Sequence, residues 1–218
     1  MTENEAINTR ILLAARPIGY PKISDFEIDK PLIPTPGPGE LLVRTLYLSL
    51  DPYMRHRMSD ARSYALPAPL GEVMIGGIVG EVAASNNAHW RVGDMVEGRL
   101  GWQQYAISDG TGMTKVDPSV APISTALGVL GMPGLTAYFG LLEICRPLPG
   151  ETVLVSAASG AVGAVVGQIA RIAGCRVVGV GRQRQGQRAS AVRRPTPRLD
   201  THVRRLSDPE EFEDDCAG

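Results

Sequence analysis

The sequence predicts an α/β protein in which a mostly antiparallel, partly open β-barrel domain is followed by the first βαβ part of a Rossmann-type domain. Two observations support this prediction. Between residues 10 and 116, short runs of β-prone residues alternate with glycine and proline turns. From residue 153 to residue 180, two valine-rich runs flank a stretch with apolar residues at helical spacing. We place a barrel-like substrate domain at 1–120, a partial dinucleotide-binding domain at 121–181 and an atypical tail at 182–218.

The N-terminal domain contains six candidate strands. Each is short and lies close to Gly, Pro or Asp, which is typical of an antiparallel sheet with tight connections. Gly93 and Asp94 stand in one such tight turn. The strands are expected within residues 10–17, 26–33, 41–50, 76–85, 92–98 and 101–108.

An uncharged stretch at residues 118–142 follows these strands. Ala, Leu and Gly recur there at helix-compatible spacing through Glu143. Prolines and glycines interrupt the stretch, and Ser and Thr dilute its apolar content. We therefore interpret it as a buried helical segment of a soluble protein rather than as a membrane span.

The second domain begins with a strand, a helix and a second strand. The apolar run Val153–Ser156 is typical of a parallel strand that is buried on both faces. The next stretch, 161–173, has apolar residues on one helical stripe, and Gly174 is well placed to cap its C-terminal end. Residues 176–180 form the next strand. The stripe consists of Val162, Val165, Val166 and Ile169.

The last segment departs from this pattern. Residues 182–205 contain eight arginines and no lysine, with no apolar period. We expect most of residues 182–218 to be poorly ordered, although the acidic end can start a helix at Ser207. Arginine-rich sequence that begins abruptly inside a motif is typical of a reading-frame shift. The hypothesis is therefore that the chain is truncated, and resequencing of the locus would test it.

Composition limits the partner and the compartment. The formal net charge is −1, so charge gives no indication of a nucleic-acid partner, and a small molecule is the expected partner. The polar amino terminus has no secretory-signal pattern. Cys145, Cys175 and Cys216 are too widely spaced for a disulfide framework or a paired-cysteine metal motif. The sequence therefore predicts a cytoplasmic protein.

The turn between the first strand and the helix, SAASGAVG, is rich in small residues. In a βαβ unit this turn faces the cofactor, a glycine lets the backbone approach a pyrophosphate, and the helix N-terminus favours anions. Gly160 and Gly163 are the candidate close-approach and helix-packing glycines, while Ala158 stands where the full pattern has its first glycine. The structural alternative is a tight strand-to-helix turn that binds nothing.

The end of the second strand bears on the choice of cofactor. A carboxylate there would bind the ribose hydroxyls of NAD, whereas arginine favours the additional phosphate of NADP. Arg182 follows Gly181, and Arg184 lies just beyond. NADPH is therefore favoured over NADH. The alternative is that both arginines belong to the basic tail.

Five strings, in this order, resemble one family: ILLAARPIGYPKISDFEI, RTLYLSLDPYMRHRMSD, GEVMIGGIVGEV, GMPGLTAYFGLLEI and PGETVLVSAASGAVGAVVGQIARIAGCRVVG. They are similar to the zinc-independent medium-chain dehydrogenase/reductases, in particular to the group of prostaglandin, alkenal double-bond and curcumin reductases found among bacterial NADP-dependent oxidoreductases. The resemblance covers residues 8–181.

The resemblance implies an NADPH-dependent reductase of the carbon–carbon double bond in α,β-unsaturated aldehydes or ketones. Hydride passes to the β-carbon while hydrogen-bond donors, rather than a metal, stabilise the developing charge on oxygen. In agreement, His56, His89 and His202 lie far apart in the sequence, without zinc-site spacing. The resemblance also implies a homodimer, formed through later strands that have no counterpart here.

Site residues follow from the same resemblance. Tyr53 falls where related reductases line the substrate pocket, and its alternative is a half-buried loop tyrosine that packs against Met54 and Met58. Arg55 is a candidate for contact with substrate or cofactor phosphate, with a surface salt bridge as its alternative. Cofactor contacts are expected from Met132, Thr136, Arg182 and the turn formed by Ala157, Ala158, Ser159, Gly160, Ala161, Val162 and Gly163.

The sequence also departs from the family. Gly186 stands near the position of a lysine that binds the NADP phosphate, and the sheet's remaining strands have no counterpart. Two further interpretations therefore stay open. The chain is a catalytically inactive member that at most binds NADPH or a partner, or it is a module that binds NADPH for regulation without turnover.

Overall fold

The computed structural model describes residues 6–181 and 203–205, the latter as backbone only. The described residues divide into two compact units, with the boundary after Ser124 and with residues 203–205 in the first unit. The domain bounds given above, at residues 120 and 181, stay predictions. The strands are β1 Arg10–Leu13, β2 Phe26–Asp29, β3 Leu41–Ser49, β4 Ile78–Ser85, β5 Met95–Gly98, β6 Tyr105–Ser108, β7 Thr114–Lys115, β8 Thr152–Ser156, β9 Arg176–Val180 and β10 Val203–Arg205.

Among the described residues, three α-helices and three other helical segments accompany these strands. The α-helices are α1 Pro52–Arg57, α2 Met132–Tyr138 and α3 Ala161–Ile172. The other segments are the 3-10 turns Ile23–Asp25 and Ile123–Leu127 and the π-helical turn Phe139–Cys145.

An antiparallel sheet forms most of the first unit. Its strands lie in the order β10-β3-β4-β5-β7, and β6 also pairs with β3. β1 and β2 form a separate antiparallel pair, and the described strands do not close into a barrel. Each of the six predicted strands is present. This architecture confirms the predicted antiparallel first part of the fold.

Two apolar clusters fill the first unit. One lies on the main sheet and consists of Leu41, Val43, Leu48, Ile78, Val82 and Val96. The other lies beneath α1 and consists of Leu13, Met54, Met58, Ala68 and Met74. The packing alternative placed Tyr53 in a loop, whereas the DPYM string begins a short helix with Pro52 in its first turn. Met54 and Met58 are one helical turn apart, so both reach the second cluster.

The second unit contains the predicted βαβ unit. β8 and β9 are parallel, with Val153 opposite Val177. α3 covers one face of this pair, and its Ala170 is fully buried. Gly174 follows the helix with φ +81°, a left-handed conformation that glycine adopts without strain, and so ends it as predicted. The Rossmann-type part of the fold class is thereby confirmed.

The prediction that β8 is buried on both faces is wrong for the described residues. Leu154 is 69% exposed, and Val178 and Val180 on β9 are 42% and 55% exposed. These side chains point away from α3, because alternate residues of a strand face opposite sides of a sheet. Nothing described covers that second face. It is called the open sheet face below.

The predicted helical segment at 118–143 consists of three short helical pieces rather than one helix. A 3-10 turn, α2 and the π-helical turn follow one another, and α2 begins after Gly131, with Pro133 in its first turn. The buried residues of this segment are Leu127, Gly128, Pro133, Gly134, Ala137 and Leu141. No helix among the described residues has the length and apolar content needed to cross a membrane.

Part of the tail enters the main sheet. Residues 203–205 pair antiparallel with Tyr47–Ser49 of β3. This short strand lies within the segment for which we expect little order. Residues 182–202 and 206–218, which include Arg182, Arg184, Gly186, His202, Ser207 and Cys216, lie outside the described residues.

Candidate functional site

The turn from β8 to α3 has a specific backbone shape. Ala157 adopts φ +49°, a left-handed conformation that is uncommon for a residue with a side chain. The amide of Ala158 donates to the carbonyl oxygen of Val180 at 3.1 Å, and the amide of Gly160 donates to that of Ala157 at 2.8 Å. The turn is thus tied to the end of β9. Its left-handed residue reverses the chain within two residues.

Gly163 lies directly against this turn. A methyl group at this position would overlap the carbonyl oxygen of Ala157 and crowd the α-carbon of Ala158. At Gly160 a methyl group would come 3.2 Å from the same oxygen, which is tight but not an overlap. Only glycine at residue 163 therefore allows α3 to start this close to the strand.

The first turn of α3 offers hydrogen-bond donors. The amide of Ala164 donates to the oxygen of Gly160, while those of Ala161, Val162 and Gly163 have no acceptor among the described residues. Unpaired amides at a helix N-terminus favour a negative charge. Ser159 lies beside them, with its Oγ 3.5 Å from the position of a Cβ on Gly181. The geometry fits an anion next to small, exposed residues.

The second unit also holds Met132 and Thr136. Both are exposed on α2, which packs against α3, and the Thr136 hydroxyl donates to the carbonyl oxygen of Met132 at 2.7 Å. Two glycines that the sequence interpretation did not single out hold this helix in place. Methyl groups on Gly131 and Gly134 would overlap the carbonyl oxygens of Ala126 and Val129. The signal was present in the string GMPG, where two glycines three residues apart enter a helix.

Tyr53 lies in the first unit, in the first turn of α1. Its half-buried ring packs against the cluster that contains Met54 and Met58, as in the packing alternative. Burial raises the pKa of its phenol above the ordinary 10.0, and the nearby carboxylate of Asp51 raises it further. Arg99 and Arg57 act in the opposite direction but do not outweigh burial. The hydroxyl is therefore a protonated donor at neutral pH.

Arg55 contacts the backbone of a neighbouring loop rather than forming the surface salt bridge that was its alternative. Its guanidinium donates to backbone carbonyls of the loop after β1: Nη2 to Gly19 at 2.7 Å and to Pro17 at 3.2 Å, and Nε to Gly19 at 3.2 Å. The expected surface salt bridge is absent from the ion pairs of the described residues. The sequence could not indicate this role, because carbonyl acceptors leave no signature in residue types.

The described residues form no cluster of metal ligands. No three His, Cys, Asp or Glu side chains within 6–181 lie close enough together to hold an ion. Of the cysteines in that range, Cys145 is exposed and Cys175 is buried, and neither forms a disulfide.

Comparison with known proteins places both units in one lineage. Residues 9–116 match the family model described as the N-terminal domain of oxidoreductase. The chain is 51% identical over 180 residues to the NADPH-dependent curcumin reductase of Escherichia coli (strain K12), covering 83% of this chain and 52% of that protein. It is 49% identical over 164 residues to prostaglandin reductase 1 of Oryctolagus cuniculus, covering 74% and 45%.

A solved structure of a similar protein matches the fold of this chain. The crystal structure of CurA in complex with NADPH from Vibrio vulnificus superposes with a TM-score of 0.76 at 52% identity, covering 81% of this chain and 52% of that one. The chain thus spans about half the length of the relatives that it matches.

Proposed function

Because this chain belongs to the reductase family that includes NADPH-dependent curcumin reductase and prostaglandin reductase 1, we propose that it acts in the NADPH-dependent reduction of α,β-unsaturated carbonyl compounds. The expected substrates are enones or alkenals. When bound, NADPH supplies a hydride to the β-carbon, and a proton then reaches the α-carbon. We also propose a cytoplasmic location, which the widely spaced cysteines favour.

The observation that carries this proposal is the turn at residues 157–163. Three amides without an acceptor among the described residues and the small residues 157–161 fit a pyrophosphate, which needs donors and close backbone approach. The hydroxyl of Ser159, within this turn, would be a further donor to it. Met132 and Thr136, on the helix packed against α3, would contact the nicotinamide end. Arg182 would favour the 2′-phosphate of NADPH.

Tyr53 is the proposed donor to the substrate carbonyl. Its raised pKa keeps the hydroxyl protonated, and a donor aimed at the oxygen stabilises the negative charge that develops there. The packing of its ring against the cluster beneath α1 would orient that hydroxyl. Packing and catalysis are thus compatible roles for this residue.

The first test is NADPH binding to the purified chain by calorimetry, with NADH as the comparison. Saturable binding that is at least about tenfold tighter for NADPH supports the proposed cofactor site. Deuterium transfer from labelled NADPH to a simple enone then tests turnover. A folded chain that binds neither nucleotide contradicts the proposal.

A second candidate is binding of NADPH, or of a partner, without turnover. The open sheet face favours it, because Leu154, Val178 and Val180 form an apolar surface that a complete doubly wound cofactor domain, with helices on both faces of its sheet, would cover. Tight NADPH binding with no deuterium transfer to any enone would identify this candidate.

A further inference from the structure

The ends of β3 and β5 lie at the same edge of the main sheet. Leu48 of β3 pairs with Ile78 of β4, and Ile78 in turn pairs with Gly98 of β5. Both strands are antiparallel to β4, so they run in the same direction and stand two strand spacings, about 10 Å, apart. The segment that leads from β3 into α1 therefore leaves the sheet at the same edge as Arg99, the residue after β5.

Arg57 shares a face of α1 with the proposed donor Tyr53. The two residues are four positions apart, one helical turn, which brings their side chains together on the helix surface. Burial has the largest effect on the pKa of the Tyr53 phenol and raises it, but the charges of Arg99 and Arg57 both lower it. Two cations thus act on this hydroxyl, one from α1 and one from the end of β5.

Both cations lack an ion-pair partner in the part of the chain that the structure describes. The Nε atom of Arg57 is also buried without a hydrogen-bond partner among these residues, so its guanidinium is partly removed from water. A cation in this state is unfavourable unless an anion or another acceptor compensates it. Arg57 and Arg99 are therefore suited to hold an anion.

Two carboxyl groups near these arginines oppose such binding only in part. Burial raises the pKa of Glu97, on β5, and so disfavours its charged form, although Arg99 acts in the opposite direction. Asp51 is the N-cap of α1, where the first amides of the helix favour a negative charge. Neither carboxyl group comes within ion-pair distance of Arg57 or Arg99. Both guanidinium groups are therefore open to another anion.

We propose that Arg57 and Arg99 form a subsite that binds a carboxylate of the substrate beside the Tyr53 hydroxyl. The inference rests on the proposed function and deepens it by assigning a substrate class: unsaturated ketones and aldehydes that carry a carboxylate, in preference to neutral ones. Guanidinium groups suit this role because the arrangement of their donors matches the two oxygens of a carboxylate. Tyr53 would bind the carbonyl oxygen of the same molecule.

The test compares the binding of levulinate and levulinamide, two saturated keto compounds of similar shape, to the 218-residue chain in the presence of NADPH. The wild type should bind levulinate at least about tenfold more tightly, because only the carboxylate forms charge-assisted hydrogen bonds with both arginines. Arg57→Gln and Arg99→Gln should each reduce this preference about threefold or more. Asp51→Asn, which removes an opposing charge, should increase it.

Arg91→Gln is the matched control. Arg91 is exposed in the turn before β5, at the opposite end of that strand from Arg99, so its replacement should leave the preference for levulinate unchanged. Arg57→Lys keeps the positive charge and should retain part of the preference. Because Arg99 is exposed, Arg99→Gln tests the subsite in a chain whose packing is intact.

A second readout follows Arg57 directly. Its Nε–H resonance in the NMR spectrum should shift during titration with levulinate and stay unchanged with levulinamide. An unchanged resonance with levulinate, a wild type without preference, or an unchanged preference in both Arg57→Gln and Arg99→Gln would overturn the subsite. A loss confined to NADPH affinity in these variants would assign the arginines to a phosphate of the cofactor and would overturn it as well.

The two levels of the proposal fail separately. NADPH affinity of the wild type tests the proposed function, whereas the ratio of the levulinate and levulinamide affinities tests the subsite. Both ligands are therefore also titrated without NADPH. A preference for levulinate in a chain that does not bind NADPH would support the subsite and contradict the proposed function.

Discussion

The α-carbon of Gly163 lies so close to the carbonyl oxygen of Ala157 that no side chain fits between them. Gly163→Ala should therefore push α3 away from the turn and displace the amides of its first residues. We expect NADPH affinity to fall by about tenfold or more, which is a loss of about 1.4 kcal/mol in binding free energy. Calorimetric titration measures this.

Gly167→Ala is the matched control. It lies one turn further along α3, where a methyl group would stand 3.6 Å from Cγ1 of Val177, an ordinary contact. NADPH affinity should stay within about twofold, and stability should rise by up to about 1 kcal/mol because alanine favours helix. Equal losses of affinity in both variants would contradict a specific role for Gly163.

The left-handed residue Ala157 should be more stable as glycine. Its φ of +49° costs an L-residue roughly 1–2 kcal/mol, of which part is offset by the greater entropy of an unfolded glycine. Ala157→Gly should therefore stabilise the chain by about 0.5–1 kcal/mol and raise Tm by about 1–4 °C. Gly174→Ala should lower Tm, because alanine is strained at the φ of +81° that Gly174 adopts. Thermal unfolding followed by circular dichroism measures both, and a lower Tm for Ala157→Gly would contradict the strain.

Tyr53→Phe isolates the hydroxyl from the packing of the ring. The variant keeps the contacts of the ring but loses the donor, so deuteride transfer to an enone should slow by about 10²–10³-fold. Because burial raises the pKa of Tyr53 above its ordinary value, ionisation of this residue should not limit the wild-type rate near neutral pH. Tyr105→Phe, at a half-buried tyrosine of β6, is the control. An equal rate in Tyr53→Phe and wild type would remove Tyr53 from the mechanism.

Glu97 on β5 should make stability depend on pH. Burial raises the pKa of its carboxyl above the ordinary 4.5, and the opposing effect of Arg99 is smaller. The unfolded chain releases this proton first, so the stability linked to Glu97 is complete below pH 4.5 and is lost as pH rises through the folded-state pKa. Glu97→Gln should therefore raise the urea midpoint at pH 7 relative to the wild type.

The difference in urea midpoint between Glu97→Gln and the wild type should shrink as pH falls toward 4. Glu27→Gln, at an exposed glutamate of β2, controls for the loss of a charge. A constant difference between Glu97→Gln and wild type from pH 4 to pH 7 would contradict the raised pKa.

Much of this fold could be predicted because its signals are local. Turn residues fix where strands such as β4 and β5 end, and small residues between two valine runs mark the βαβ turn. The exposure of Leu154 could not be predicted, because a β-branched run is equally typical of a strand that is covered on one face or on both. The π-helical turn at Phe139–Cys145 was also missed, since its composition equals that of an ordinary helix.

The sequence likewise indicates some site residues and not others. The close packing of Gly163 could be anticipated from spacing, because its contact with Ala157 leaves no room for a side chain. The roles of Gly160 and of the turn at residues 157–163 in binding the cofactor remain predictions. The role of Arg55 depends on two carbonyl groups more than 30 positions away, and a contact of this kind carries no pattern in the sequence. The cofactor roles of Met132, Thr136 and Arg182 and the catalytic role of Tyr53 remain predictions.

The open sheet face also has a calorimetric consequence. Apolar surface that is already hydrated in the folded chain, such as Leu154, adds nothing to the heat-capacity increment of unfolding. That increment should therefore fall below the usual value of about 12–15 cal/mol/K per residue. A smaller increment flattens the dependence of the unfolding free energy on temperature. The second unit should accordingly lose little stability on cooling, because less of that stability comes from water released by apolar surface.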